Sequence, residues 1–553
     1  MEYMKSVRIL LRLRLIDFQM ADKISRIIIE NIKLPISASE KEAFEAAKVR
    51  ISKHPCFGKA LSFEIYKRSI DARKKENIQF VMSVIAEVET LKSPDDAKLK
   101  SDGIKLKTDL TPHFNPGKEI ISARPVVVGF GPAGMFAALY LARYGYRPIV
   151  LERGDSVSER VKAVERFEKE GMLDTETNIQ FGAGGAGTFS DGKLTTRIND
   201  PFVHAVLKEL RDMGAPEDVV TRAKPHIGTD VLRKVVEAFH KEIERLGGEI
   251  RYLTRVTAVT KGVVSTDSGD IPSGATVIAT GHSARDFYKF LIDGGFAVEC
   301  KPFSVGVRIE HLQRDIDIAM YGSDELSGII GHAEYALSYR KGERGVYTFC
   351  MCPGGKVVAA ASEEGGAVTN GMSYRARDGK NANAALAVSV LPSDFGSDPL
   401  KGIEFQRKLE RAAFKAGGEN YHAPSQNVKD FFDGRRGEVS ERIKPSYMDG
   451  KVTPCDLNVI LPSFVSSMLK TGISQFGRKI NGFDDGDVPL TGVETRTSAP
   501  MRILRTDSFE AVGKENIYPC GEGAGYAGGI VSAAVDGIRV AGAIIEKYAP
   551  LES

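Results

Sequence analysis

The stretch Pro125-Val-Val-Val-Gly-Phe-Gly-Pro-Ala-Gly134 runs from a short apolar segment into three glycines, Gly129, Gly131 and Gly134. A helix-like segment, Met135 to Tyr144, follows and closes at Gly145, and a second strand-like run, Tyr146 to Leu151, ends at Glu152. Strand, glycine turn, helix, strand and acid in that order read as a βαβ unit that holds a dinucleotide. Gly129 permits the tight turn, Gly131 lets the backbone approach a pyrophosphate at the helix N-terminus, and Gly134 lets helix and strand pack closely. Pro132 and Ala133 belong to the same turn, and Glu152 is placed to accept the ribose hydroxyls of an adenosine. Residues 125–142 carry no charge, but the glycines and proline at their centre, with Arg143 just beyond, favour strand-turn-helix over a membrane span.

The rest of the chain is consistent with a large protein of ordinary globular composition. Its 553 residues exceed one core, so two or three domains are expected. With 42% hydrophobic and 27% charged residues, long disorder is not expected. Cys56, Cys300, Cys350, Cys352, Cys455 and Cys520 are scattered rather than framed for disulfides, which fits a reducing cytoplasm. Arg8, Arg12 and Arg14 interrupt the early apolar stretch, so no signal peptide is read there. The net charge of +3 divides unevenly: residues 1–100 hold 20 Lys/Arg against 14 Asp/Glu, and the remainder 56 against 59. That N-terminal excess reads as a solvated face, and no nucleic-acid partner is expected.

Alternation at Val7, Ile9, Leu11, Leu13 and Leu15 predicts a strand over residues 5–16, followed by helices around Ile24 to Ile29 and Lys41 to Ile51. Strands at Leu61 to Ile65 and Val81 to Val88 complete a small α+β domain over 1–100, and the polar stretch to residue 123 reads as linker. From residue 124 the α/β pattern begins, with helical Asp230 to Leu246, strand-like Ile250 to Val264 and a buried strand Thr276 to Ala279. It resumes only at Asn516 to Cys520 and the helix ending near Ala543, after a tract of strands and glycine turns. The expected order is therefore an α/β, Rossmann-like cofactor domain (124–300 and 491–553) carrying an inserted, β-rich α+β substrate domain (301–490).

Together, the 129–134 fingerprint, Glu152-Arg153-Gly154, the strand end Val277-Ile-Ala-Thr280-Gly281 and Gly521-Glu522 before a glycine-led helix resemble the glutathione-reductase-type FAD superfamily. Within it, Gln180 to Leu194, Val493 to Ser498 and Cys520 to Ile530 are similar to a group of bacterial FAD-dependent dehydrogenases or oxidoreductases, over about residues 100–553. The resemblance implies FAD, with Gly129, Gly131 and Gly134 toward its pyrophosphate, Glu152 and Arg153 beside the adenosine, and the backbone of Val256 at the adenine. Thr280 and Gly281 end a cofactor-facing strand, and Gly521 leads to an acid that accepts from the ribityl chain. The superfamily's usual Asp is Glu522 here, with the same charge and one methylene more.

Independently of resemblance, residues 182–187 hold four glycines (Gly182, Gly184 and Gly185 among them) and two alanines, the composition of a backbone approached by a flat ligand. Gly528, Gly529 and Ile530 open a helix whose amides would stabilise negative charge at the flavin N1/O2 edge. Lys193, Arg197, His226 and His282 follow these segments as candidate proton donors or anion binders. Arg308, Glu310, His311, Glu494 and Arg496 mark the junctions of the inserted tract, where an ion pair explains them as well as catalysis does. Lys193, His282 and Arg496 stand as the catalytic candidates.

Cys350 and Cys352 would share a strand face at about 6.7 Å between Cα atoms, the edge of disulfide geometry, and read as buried thiols. No metal motif is present. The expected activity is a cytoplasmic FAD-dependent oxidoreductase acting on a small molecule, with NADH or NADPH as a transient donor over the flavin. The alternatives are an NAD(P)-dependent dehydrogenase, which leaves Gly521-Glu522 without a role, and a flavin-bearing RNA-binding or RNA-modifying protein, which lacks a basic motif interleaved with aromatics.

Overall fold

The computed structural model describes residues 24–107 and 111–551. They divide into two compact units: residues up to Leu110 with Val220–Ala223, and the remainder. The strand expected over 5–16 lies outside the described residues.

The first unit is a four-stranded antiparallel sheet in the order Phe57–Asp71, Gln79–Thr90, Ile24–Pro35, Ile104–Leu106. Helix Glu40–Ile51 buries Ala43, Ala47 and Ile51 and starts with a capping box, the Ser39 amide donating to Glu42 Oε2 at 2.8 Å. Two expectations are corrected. Ile24–Pro35 is a strand, not a helix, because the β-branched run Ile27-Ile28-Ile29 fits a pleated, buried surface better than a helical one. The stretch beyond residue 100 read as linker carries strand Ile104–Leu106, which follows helix Asp96–Ser101, capped by the Asp95 side chain, and pairs with Ile27–Ile29. A second chain segment joins this unit through the Arg68 amide, which donates to Thr221 O at 2.7 Å, and the Ala223 amide, which donates to Arg68 O at 2.9 Å.

In the second unit a parallel sheet runs in the order Ile517–Pro519, Thr276–Ile278, Val126–Val128, Ile149–Leu151, Glu249–Arg251. Its central strands are buried throughout, as expected for parallel strands covered on both faces. Helix Pro132–Arg143 packs on helix Ile530–Lys547 so closely that a Cβ at Gly537 would run into the Ala133 carbonyl. The chain leaves this sheet after Ile278 and returns at Ile517, and most strand residues of the interval belong to a seven-stranded sheet. Its order is Ser338–Lys341, Arg344–Cys352, Asn381–Val390, Phe303–Leu312, Pro489–Glu494, Ala423–Asn427, Val452–Pro454. All neighbours are antiparallel except the last pair. The strand Pro489–Glu494 carries this sheet past residue 490, where the inserted tract was expected to end. The architecture is thus a Rossmann-like α/β sheet with a β-rich second sheet inserted into it.

Candidate active site

The fingerprint turn is built by contacts that only glycine allows. Gly129 has φ +101°, and a Cβ on it would lie 2.5 Å from Ala279 O. At Gly134 a Cβ would strike the Gly129 carbonyl, so this glycine serves helix-to-strand packing. Gly131 differs: it is the N-cap of helix Pro132–Arg143, and its Cβ position meets nothing nearer than Gly185 Cα at 3.8 Å. It faces a cavity of about 480 Å³ lined also by Gly129, Pro132, Ala133, Gly185 and Ala186.

Glu152 lines the same cavity but is 5% exposed and already engaged. Its Oε2 accepts from the Phe130 amide at 2.9 Å, and its Oε1 from the amides of Gly154 and Gly182 at 3.0 Å each. The carboxylate therefore ties the fingerprint turn to the glycine loop, in addition to whatever its remaining lone pairs accept from the cavity. Arg153, also lining, is paired at 2.9 Å with both Glu176 and Asp286 and lies 4.1 Å from the Phe181 ring centroid.

In the glycine loop, Gly185 and Gly187 reach the cavity, whereas Gly182 and Gly184 do not. Those two have φ +114° and +83°, and their Cβ positions would collide with Arg160 and with Thr188 and Val236, so they serve the loop's own packing. The organiser is Arg160, which sequence reading did not single out. Fully buried on helix Val157–Glu170, it donates to the carbonyls of Asn178 (2.8 Å), Ile179 (2.8 Å), Gly182 (3.2 Å), Ala183 (2.7 Å) and Gly185 (2.9 Å). The helical period that buries Val157, Val164 and Phe167 also places Arg160 on their face, and that was the available signal.

At the sheet ends, Thr280, Gly281, Glu522 and Val256 line the cavity, but Gly521 does not. Its amide donates to Asp536 Oδ2 at 2.7 Å, and its Cβ position is taken by Ala133. Burial pushes the Glu522 carboxyl up to about 7, with Lys301 opposing the shift. Helix Ile530–Lys547 starts at the cavity wall, and Cβ atoms at Gly528 or Gly529 would meet nothing within 4 Å.

All three catalytic candidates reach the cavity. Lys193 Nζ lies 2.9 Å from Asp191 and 3.6 Å from Glu334. His282 is pushed down to about 3 by burial and by the nearby Arg496 and Arg285, which keeps its imidazole neutral. Arg496 is held by Glu410 (3.0 and 3.1 Å) and Ser362 (3.1 Å), and Glu410 also takes Arg285 bidentately at 2.7 and 2.8 Å. Arg496 is thus one arm of a buried Arg285–Glu410–Arg496 cluster.

The other junction residues are paired as well: Arg308 with Glu494 at 3.4 Å, Glu310 with Ser446 at 2.5 Å and Asn381 at 3.0 Å, and His311 with Phe483 O at 3.0 Å. Arg197 lines the cavity where it is exposed, whereas His226 does not line it. Cys350 and Cys352 do, as free thiols, but the regular strand spacing expected of them fails. The ladder shifts register between Phe349 and Cys352, and Cys350 has φ +43°. Among the described residues, no group of three or more His, Cys, Asp or Glu side chains is placed to hold a metal.

Residues 302–497 match the family described as FAD-dependent protein, C-terminal domain-like, and residues 26–87 match a domain of unknown function, DUF8436. An uncharacterized protein of Clostridium beijerinckii is 49% identical over 498 residues, 88% of this chain and 92% of that one. The chain belongs to the family of that protein. A thiamine thiazole synthase of Methanococcus maripaludis is 44% identical over only 59 residues, 10% of this chain and 23% of the enzyme. Among solved structures, CtdE in complex with FAD is similar at 12% identity and a TM-score of 0.27, covering 76% of this chain and 82% of that one. Glycine oxidase of Geobacillus kaustophilus reaches 11% and 0.30, covering 78% and 96%.

The matched C-terminal domain names FAD, and the cavity fits it: side-chain-free glycine positions, a helix N-terminus and an acid at the sheet end all face one space. FAD is the cofactor, and the residues at the cavity fit it. None of the described helices is long and apolar enough to cross a membrane.

Proposed function

We propose that the enzyme exchanges hydride between a small-molecule substrate and N5 of FAD, with NADH or NADPH as a transient partner at the same ring. The observation that carries this reading is the single cavity shared by the Gly129–Gly134 turn and the Glu522–Ile530 segment, two chain regions nearly four hundred residues apart. A dehydrogenase using the fingerprint for nicotinamide alone leaves the second region without work. The glutathione-reductase-type assignment is supported by the same two regions together with the Thr280-Gly281 strand end.

In this reading Gly131 and Gly185 bring bare backbone to the pyrophosphate, where the amides of helix Pro132–Arg143 attract its charge. Glu152 accepts from the ribose with the lone pairs its amides leave free, and Val256 borders the adenine. Glu522 faces the ribityl chain, and its raised affinity for a proton lets it donate as well as accept. The start of helix Ile530–Lys547 stabilises negative charge arriving on the ring. His282, neutral, offers a hydrogen bond rather than a charge, and Arg496 contributes field while Glu410 holds it in place. Anaerobic titration of the purified protein with NADH and NADPH, followed by visible absorption, tests the reading. Bleaching of the flavin spectrum by NADH or NADPH supports it, and a spectrum that dithionite bleaches but neither nicotinamide does refutes the nicotinamide step.

A further inference from the structure

A polar wall of the cavity is left over once the cofactor-facing residues are assigned. Lys193, Glu334, Tyr335 and Cys352 line it, with Lys224 and Arg197 exposed among the lining residues. Tyr335 is 5% exposed, and its Oη is buried with no hydrogen-bond partner. Buried hydroxyls are nearly always satisfied by protein, water or ligand, so an orphan at a cavity wall points to something that occupies the cavity.

Lys193 is the second orphan. Its Nζ is close enough to Asp191 and Glu334 for charge pairing but is not aligned to hydrogen-bond either. Both carboxylates are engaged elsewhere. Arg377 donates to Asp191 through Nε (3.0 Å) and Nη2 (2.5 Å) and to Glu334 through Nη1 (2.6 Å), while Ser373 also donates to Asp191. The local count is three cations, Lys193, Arg377 and Lys224, against the two carboxylates, with Lys224 near enough to act on Glu334. Positive charge is in excess, and two buried donors have no acceptor.

We propose that this wall is the substrate subsite and that it takes a small molecule bearing a carboxylate, with Lys193 supplying the charge and Tyr335 the hydrogen bond. One ammonium and one hydroxyl suit the two oxygens of a carboxylate. A phosphate group is more often gripped by a guanidinium fork or a row of backbone amides; the one guanidinium among these lining residues, Arg197, is exposed, whereas the two unsatisfied donors are a buried ammonium and a buried hydroxyl. The subsite rests on the reading above, because the substrate must share the cavity with the cofactor.

The experiment is calorimetric titration of the FAD-loaded full chain with benzoate, acetate, inorganic phosphate and, as a neutral control, benzamide. FAD content is measured first by visible absorption. Benzoate should bind saturably and benzamide about tenfold more weakly or less. Lys193→Met should lower benzoate affinity by about tenfold or more with FAD content unchanged, Lys193→Arg should recover part of the loss, and Tyr335→Phe should weaken binding without abolishing it. Equal binding of benzoate and benzamide overturns the proposal, as do preference for phosphate, undiminished affinity in Lys193→Met, and absence of carboxylate binding to a yellow wild type. A wild type that cannot hold FAD refutes the parent reading as well, and the FAD measurement separates that failure from the others.

Discussion

Glu152 joins two loops with one carboxylate, and this changes what its removal should do. Three buried amides lose their acceptor in Glu152→Ala, so the cofactor-free protein should lose stability, on the order of 1–3 kcal/mol. Denaturant unfolding of the cofactor-free variant checks this, and an unchanged midpoint with weakened FAD would mean that the residue serves the ribose alone. Gly131→Val should do the opposite. The site has open space beside it, so the fold should survive while FAD is lost, as read from circular dichroism and from the cofactor released on denaturation. The placement of Gly131 at an open cavity wall was legible because spacing between a strand and a helix leaves few other arrangements. Gly182 and Gly184 misled because the same residue type serves both ligand approach and positive φ, and only the neighbours, Arg160 and Val236, distinguish them. Tyr335 and Glu334 gave no signal, since their meaning lies in contacts with residues far away in the chain.

Helix Ile530–Lys547 presents its N-terminus to the cavity, with Gly528 and Gly529 unobstructed. Gly528→Asp, at a position with open space and no left-handed backbone, should therefore lower the flavin reduction potential relative to the uncharged Gly528→Asn, with FAD retained in both. Equal potentials, measured by dye equilibration, would place the ring away from this helix. Helix Pro399–Gly417 supplies Glu410, which two buried guanidiniums hold well below the usual carboxylate range despite the cost of burial. Its folded pKa lies below its unfolded one, so the stability it contributes is present above the ordinary carboxylate range and is lost as pH falls below it. Glu410→Gln should cost about 3–5 kcal/mol at neutral pH by stranding Arg285 and Arg496, and it should flatten the acid limb of the stability profile. Elements with a clear period, such as Thr229–Arg245 and Glu40–Ile51, were readable, whereas Ile24–Pro35 was not. A short run of isoleucines fits either period, and the pairing with Gln79–Thr90 that decides it is nonlocal.

The two compact units share no sheet, and every residue lining the cavity lies in the second. Deletion of residues 1–110 should consequently leave a yellow protein, and an insoluble or empty product would show that the first unit is needed by the second. The cut belongs at 110 rather than at the expected boundary of 100 because Ile104–Leu106 is a strand of the first sheet. That strand was hidden in a polar stretch whose three residues carry no period. The insertion of a β-rich tract between Ile278 and Ile517 was legible from composition, but its strand order was not. Phe303–Leu312 sits between partners from residues 381–390 and 489–494, and nothing local encodes such pairings. The account stands most directly on the absorption spectrum of the purified full chain, taken with quantitation of the cofactor released on denaturation. It predicts a flavin spectrum and about one FAD per chain, the occupancy of a single fingerprint. A colourless protein that cannot be reconstituted with FAD, yet binds NAD tightly, would contradict it.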